Sequence, residues 1–165
     1  MASALHNLSE VKGVIPSGEG KRIVVVVSEW NSEITQRLLD GAVDELQKND
    51  VSIRNIVIET VPGCFELPLA AQTSALKHNP DAMICLGCVI KGETPHFDYV
   101  CQATTQGILQ VGLSMKIPVI FGVLTVNTLE QALARSGGKY GNKGIEAAHT
   151  ALKMIKYKPL NSFIL

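Results

Sequence analysis

Four short stretches hold residues whose types and spacing suit chemistry on a small polar molecule. In Gly92-Glu93-Thr94-Pro95-His96, threonine followed by proline is a strong helix start, with Thr94 as N-cap and Pro95 at the first helical position. A helix beginning there leaves backbone N–H groups unpaired, with the positive end of its dipole behind them. Gly92 lets a ligand approach the backbone, so Gly92, Glu93 and Thr94 form an anion cradle suited to phosphate. The same field disfavours an imidazolium, so His96 is expected neutral and able to take up a proton; a solvated or packing histidine is the plainer alternative. Arg135 and Lys143 flank a glycine-rich loop, Gly137-Gly138-Lys139-Tyr140-Gly141-Asn142, which again suggests phosphate. Its spacing does not fit the Walker pattern and the chain has no GxGxxG, so a helix-ending arginine and a loop lysine stay open as readings. Trp30, the single tryptophan, precedes Asn31 just past an apolar run. It offers either a stacking platform for a flat heterocycle or an anchor for core or interface packing. Glu66 lies between Pro62 and Pro68, where it meets a ligand or simply stabilises a helix start.

Alternating strands and helices must bring these stretches together. Ile23 to Val27 reads as a central strand, apolar on both faces as a parallel sheet demands. Asn31 or Ser32 caps a helix with its stripe at Ile34, Leu38, Leu39, Ala42, Val43 and Leu46. A second strand over about residues 53–60 leads to the Pro62–Pro68 turn and a helix that stops near Asn79-Pro80. The third strand, Ala82 to Ile90, feeds the helix that starts at Thr94. The fourth, Pro118 to Val126, precedes the capping-box pattern Thr128-Leu-Glu-Gln131, a stop at Gly137 and a last helix over about 142–156. The economical fold is one doubly wound parallel sheet, whose ligands collect at the carboxyl ends of the strands. Trp30-Asn31, Pro62 to Glu66, Lys91 to His96, and Phe121 with Asn127 beyond it all fall at those ends.

Composition narrows the class. The chain has 165 residues, 46% hydrophobic, with 15 Lys+Arg against 15 Asp+Glu. One packed domain follows, and neither a nucleic-acid nor an anionic-membrane surface is indicated. The longest apolar stretch, Ile117 to Val126, is too short to span a bilayer, and the first residues show no secretory pattern. A soluble cytoplasmic protein is expected, with residues 1–20 as a flexible arm and 21–165 as a single domain. Cys85 and Cys88 form a C-x-x-C, but within a strand they lie about 10 Å apart on opposite faces. That is too far for a disulfide, and no second ligand pair for a zinc site accompanies them, so core packing is expected.

Together the motifs VPGCFELP (Val61 to Pro68), GCVIKGETPHFDYV (Gly87 to Val100), PVIFGVLTVNTLEQALARSGGKYGNKGIEAA (Pro118 to Ala148) and the Trp30-Asn31 pair resemble the lumazine synthase family, over about residues 21–157. The resemblance implies a flavodoxin-like three-layer α/β sandwich with a four-stranded parallel sheet and helices on both faces. It implies condensation of 5-amino-6-ribitylamino-uracil with 3,4-dihydroxy-2-butanone 4-phosphate to 6,7-dimethyl-8-ribityllumazine, the penultimate step of riboflavin biosynthesis, without metal or organic cofactor. By position it assigns proton transfer to His96, and pyrimidine and ribityl binding to Trp30, Asn31, Cys64, Phe65, Glu66, Val89 and Ile90. Phosphate binding falls to Arg135 with Gly92, Glu93 and Thr94. Phe121 and Lys143 match positions that line the site from a neighbouring subunit, so the family's pentamer, often built into an icosahedral shell of sixty, is expected. Trp30 where the family commonly has Phe, Cys64 where Ala or Ser is usual, Cys88 for a small residue and Lys91 for Arg are the departures.

Overall fold

The computed structural model describes residues 7, 9 and 13–159. The remainder of the expected arm, and residues 160–165 of the expected domain, lie outside the described residues. Among the described residues, six strands and five α-helices follow one another. They are β1 (Ile23–Ser28), α1 (Ser32–Lys48), β2 (Ile56–Val61), α2 (Leu67–His78), β3 (Ala82–Ile90), α3 (His96–Met115), β4 (Val119–Val126), α4 (Leu129–Arg135), β5 (Ser136–Gly138), β6 (Gly141–Asn142) and α5 (Lys143–Met154). Four strands form one parallel sheet in the order β2-β1-β3-β4, so Val25 lies between Ile58 and Ile84, and Leu86 pairs with Gly122.

Period-two alternation divides the sheet's side chains between two cores. Ile23, Val25, Val27, Ile84, Leu86 and Cys88 meet the apolar stripe of α1 (Ile34, Leu38, Ala42, Leu46) and Ala148, Ala151 and Leu152 of α5. Val24, Val26, Met83 and Cys85 meet Leu67 and Ala71 of α2 and Ile108 and Val111 of α3. Helices therefore cover both faces, and β1 is buried along its whole length, as its unbroken valines require. The fold is the α/β sandwich expected. Cys85 and Cys88 do lie in opposite cores, and all four cysteines are free thiols.

Two local differences from the sequence reading have physical causes. The third helix has its first residue at His96, not Pro95, so Pro95 replaces Thr94 at the N-cap position, with no side-chain cap. The Pro95 carbonyl, which accepts from the N–H groups of Asp98 (3.0 Å) and Tyr99 (3.4 Å), is the first to join the helical ladder. The segment read from sequence as a glycine-rich loop contains the antiparallel pair β5–β6, turned through Gly141 at φ 84°.

That hairpin delivers the chain to Asn142, which ties three elements together. Its Oδ1 accepts from Gly144 N–H at 2.7 Å and so caps α5, while its Nδ2 donates to the Arg37 carbonyl on α1 at 2.9 Å. Its backbone N–H donates to Ser9 Oγ at 2.7 Å. α1 and α5 approach so closely that a Cβ at Gly144 would stand 1.9 Å from the Leu38 carbonyl oxygen. Within the expected arm, Gly18 N–H also joins the fold, donating to the Asn49 carbonyl at 2.7 Å.

Candidate active site

Three strand exits and one helix start enclose a cleft of about 490 Å³ at the carboxyl edge of the sheet. Its walls are Trp30 and Asn31 after β1, Cys64, Phe65 and Glu66 after β2, Cys88 to Ile90 at the end of β3, and His96 and Val100 of α3. The volume suits a drug-sized ligand, and the position beside β1, where the strand order turns, is where doubly wound sheets bind ligands.

Backbone and side-chain bonds hold each wall in place. After β1 the N–H groups of Glu29 and Trp30 donate to the carbonyls of Val61 (2.8 Å) and Pro62 (3.0 Å), which clamps the first exit to the second. Asn31 adopts φ 60°, ψ 44°, a left-handed conformation that asparagine tolerates, and its Nδ2 donates to the Cys88 carbonyl at 2.9 Å. The first exit is thereby tied to β3 as well. After β2, residues Cys64–Glu66 form a single 3₁₀ turn, in which Gly63 N–H donates to Glu66 Oε2 at 3.0 Å. The buried Thr104 hydroxyl of α3 donates to the Cys64 carbonyl at 3.1 Å and fixes that turn against the helix. On α3, His96 and Val100 are one turn apart and so share the face turned to the cleft. The His96 side chain is exposed.

The two thiols in this wall, Cys64 and Cys88, and Cys85 buried in the core nearby are chemically quiet. Burial pushes Cys64 above the ordinary thiol value, and it pushes Cys85 and Cys88 to about 12. All three are kept as weakly nucleophilic S–H groups that fill space.

Eight of the residues singled out from sequence meet here: Trp30, Asn31, Cys64, Phe65, Glu66, Val89, Ile90 and His96. Cys88 and Val100 line the cleft without having been assigned to it; the first adjoins Val89, and the second lies four residues beyond His96. Gly92, Glu93 and Thr94 form an exposed loop between β3 and α3, and a Cβ at Gly92 would meet nothing within 4 Å.

Phe121, Arg135 and Lys143 do not line the cleft of a single chain. Phe121 is partly buried on β4, opposite Cys85. Arg135 and Lys143 converge instead on Glu146. Arg135 Nη2 meets Oε1 at 2.6 Å and Lys143 Nζ meets Oε2 at 3.2 Å, while Arg135 Nη1 donates to the Tyr140 carbonyl. Two cations against one carboxylate leave this cluster one positive charge in excess, on side chains already held in position.

A second concavity of about 450 Å³ lies near the start of β4, lined by Leu109, Leu113, Ile117, Pro118, Met154 and Tyr157 among others. Among the described residues that line it, Lys116 alone is charged, so it offers little for acid–base work. Among the described residues, no group of three or more His, Cys, Asp or Glu side chains is placed to hold a metal ion, and no helix is long and apolar enough to cross a membrane.

Comparison with known proteins matches residues 20–159 to the family model for 6,7-dimethyl-8-ribityllumazine synthase. Proteins of that name are similar over nearly their whole length. The one from Porphyromonas gingivalis is 53% identical over 155 residues, covering 93% of this chain and 96% of its own. That from Cytophaga hutchinsonii is 54% identical over 155 residues (94% and 98%), and that from Protochlamydia amoebophila 49% over 148 residues (90% and 86%).

Proposed function

The chain belongs to the 6,7-dimethyl-8-ribityllumazine synthase family, and from that premise we propose that it condenses 5-amino-6-ribitylamino-uracil with 3,4-dihydroxy-2-butanone 4-phosphate. The products are 6,7-dimethyl-8-ribityllumazine, phosphate and water, which makes the reaction the penultimate step of riboflavin biosynthesis. The observation that carries this reading is the meeting of an indole, a carboxylate and an imidazole (Trp30, Glu66 and His96) in one cleft of about 490 Å³.

Each group has a chemical task. The exposed indole of Trp30 stacks on the flat pyrimidine, and Asn31, Glu66 and the backbone of Cys64 and Phe65 face the ribityl chain. Val89 and Ile90 supply the apolar floor. The 5-amino nitrogen attacks the ketone carbon, and the adduct loses water to form an imine. Elimination of phosphate breaks the C–O bond of the ester, and the ribityl-bearing nitrogen then closes the ring with loss of a second water. Protons move at every stage near neutral pH, which suits an imidazole, and His96 is the group placed to carry them. The leaving phosphate needs donors that hold a dianion, supplied by Arg135 and the backbone of Gly92, Glu93 and Thr94. Holding two substrates in register contributes much of the acceleration, without a covalent nucleophile or organic cofactor.

Phe121, Arg135 and Lys143 reach such a site only from a neighbouring subunit, so we place the complete site between chains of a pentamer, assembled further into an icosahedral shell. Exposed leucines on α2 and α3 support association. Four unpaired thiols fit the reducing cytoplasm.

Mixing the two substrates with the protein is the direct test. Growth of the lumazine's absorbance and green fluorescence is the expected result. Binding of the pyrimidine with no product would instead make the protein a heterocycle-binding module and end the enzymatic reading.

A further inference from the structure

Trp30 is 65% exposed, so burial does not hold its ring in place. Its support on the protein side is Gly63. A Cβ built there would stand 2.7 Å from both Cε3 and Cζ3 of the indole and 3.1 Å from Glu66 Oε2. Carbon atoms pack at about 3.5–4.0 Å, so no side chain fits behind the ring where it now lies. Backbone conformation does not explain the glycine. Gly63 has φ −137° and ψ 178°, extended geometry open to any residue. Only the space taken by the indole and the neighbouring carboxylate calls for a residue without Cβ.

We infer that Gly63 is a positioning residue, which seats the Trp30 indole and so sets where a flat heterocycle stacks. The inference rests on the stacking role proposed above for Trp30. Gly63 also donates its N–H to Glu66 Oε2 at 3.0 Å. One turn therefore holds both groups assigned to the pyrimidine substrate, the ring for its heterocycle and the carboxylate for its ribityl chain. A methyl group at this position meets an exposed ring, not a packed core. The indole swings toward solvent, and the fold survives while the platform moves.

Because Trp30 is the single tryptophan, its emission reports this one ring. In Gly63→Ala, the unliganded protein is expected to show a shifted emission maximum and altered quenching by acrylamide. KM for the diaminouracil should rise about fivefold, within the range an aromatic stack confers, with kcat and KM for the ketone phosphate within about twofold. Adding Gly63→Ala to Trp30→Ala should change that KM by less than about twofold, since no ring remains to be struck. Unchanged emission in Gly63→Ala overturns the inference, as does a KM penalty that persists in full without the indole. The emission reading needs no turnover, so a protein that makes no lumazine ends the proposed reaction while leaving the seating of the ring to be decided by fluorescence.

Discussion

His96 and Arg135 are held in opposite ways, and their substitutions should part accordingly. The imidazole is exposed at the cleft, while the guanidinium is bound by Glu146 and the Tyr140 carbonyl, its side chain only 13% exposed. His96→Ala should lower kcat about tenfold to a hundredfold, at or below the low end of what positioned proton transfer contributes, because water can stand in for an exposed imidazole. Steady-state rates with both substrates saturating check this, and loss of less than about twofold removes His96 from the mechanism. Arg135→Ala should raise KM for the ketone phosphate and leave KM for the diaminouracil unchanged. A variant with unaltered dependence on the phosphate substrate overturns that role. Lys143 remains to balance Glu146 in this variant, so the substitution does not strand a lone carboxylate and the fold should hold. Residue types made these candidates visible in the sequence. Their partners did not show there, since Glu146 meets Arg135 only after the β5–β6 hairpin reverses the chain.

Between elements, the contact of α1 with α5 carries a second ionisable pair. Glu45 Oε1 meets His149 Nε2 at 2.7 Å, with both side chains largely buried, and His149 Nδ1 is buried with no partner among the described residues. Burial raises the Glu45 carboxyl, but hydrogen bonds and charge from His149, with Asn49 and Lys48, outweigh it and hold it below its ordinary value of 4.5. A carboxylate with a depressed folded pKa adds stability above its unfolded value, and that contribution is lost as pH falls through the folded value. Urea midpoints should therefore fall below about pH 4.5 more steeply in the parent than in Glu45→Gln, which should itself be about 1 kcal/mol less stable at pH 7. Glu59 is lowered likewise by His78 and Lys77 and will keep part of the acid slope in the variant. Parallel acid limbs in the two proteins would remove Glu45 from the account. At this scale the strands and helices were legible from period-two and helical patterns, and the β3–α3 exit from its Thr-Pro step. The N-cap fell one residue later because it depends on which carbonyl first joins the ladder, and the hairpin was hidden by glycines that read simply as loop.

In the whole molecule, apolar side chains remain on the outer faces of α2 and α3. Leu69 and Leu76 are 71% and 63% exposed, and Leu109 and Leu113 are 62% and 71% exposed. Spacings of seven and four residues put each pair on one helix face, the pattern of a surface made to be covered. Sedimentation over a range of concentrations should find pentamers or larger shells and no monomer, with activity per chain falling wherever dilution breaks the assembly. A fully active monomer would refute the shared site. The sequence by itself determined the alternation of elements, the double-sided sheet and the chemical character of its strand exits, because periodicity, capping and residue type are properties of neighbours along the chain. Only the tertiary structure decided which exits share a cleft, that Asn31 spends its amide on β3, that Gly63 stands behind the indole, and that Arg135 and Lys143 answer to one carboxylate. Those are distances between residues remote in the chain, and they come into being only when the two cores close on the sheet.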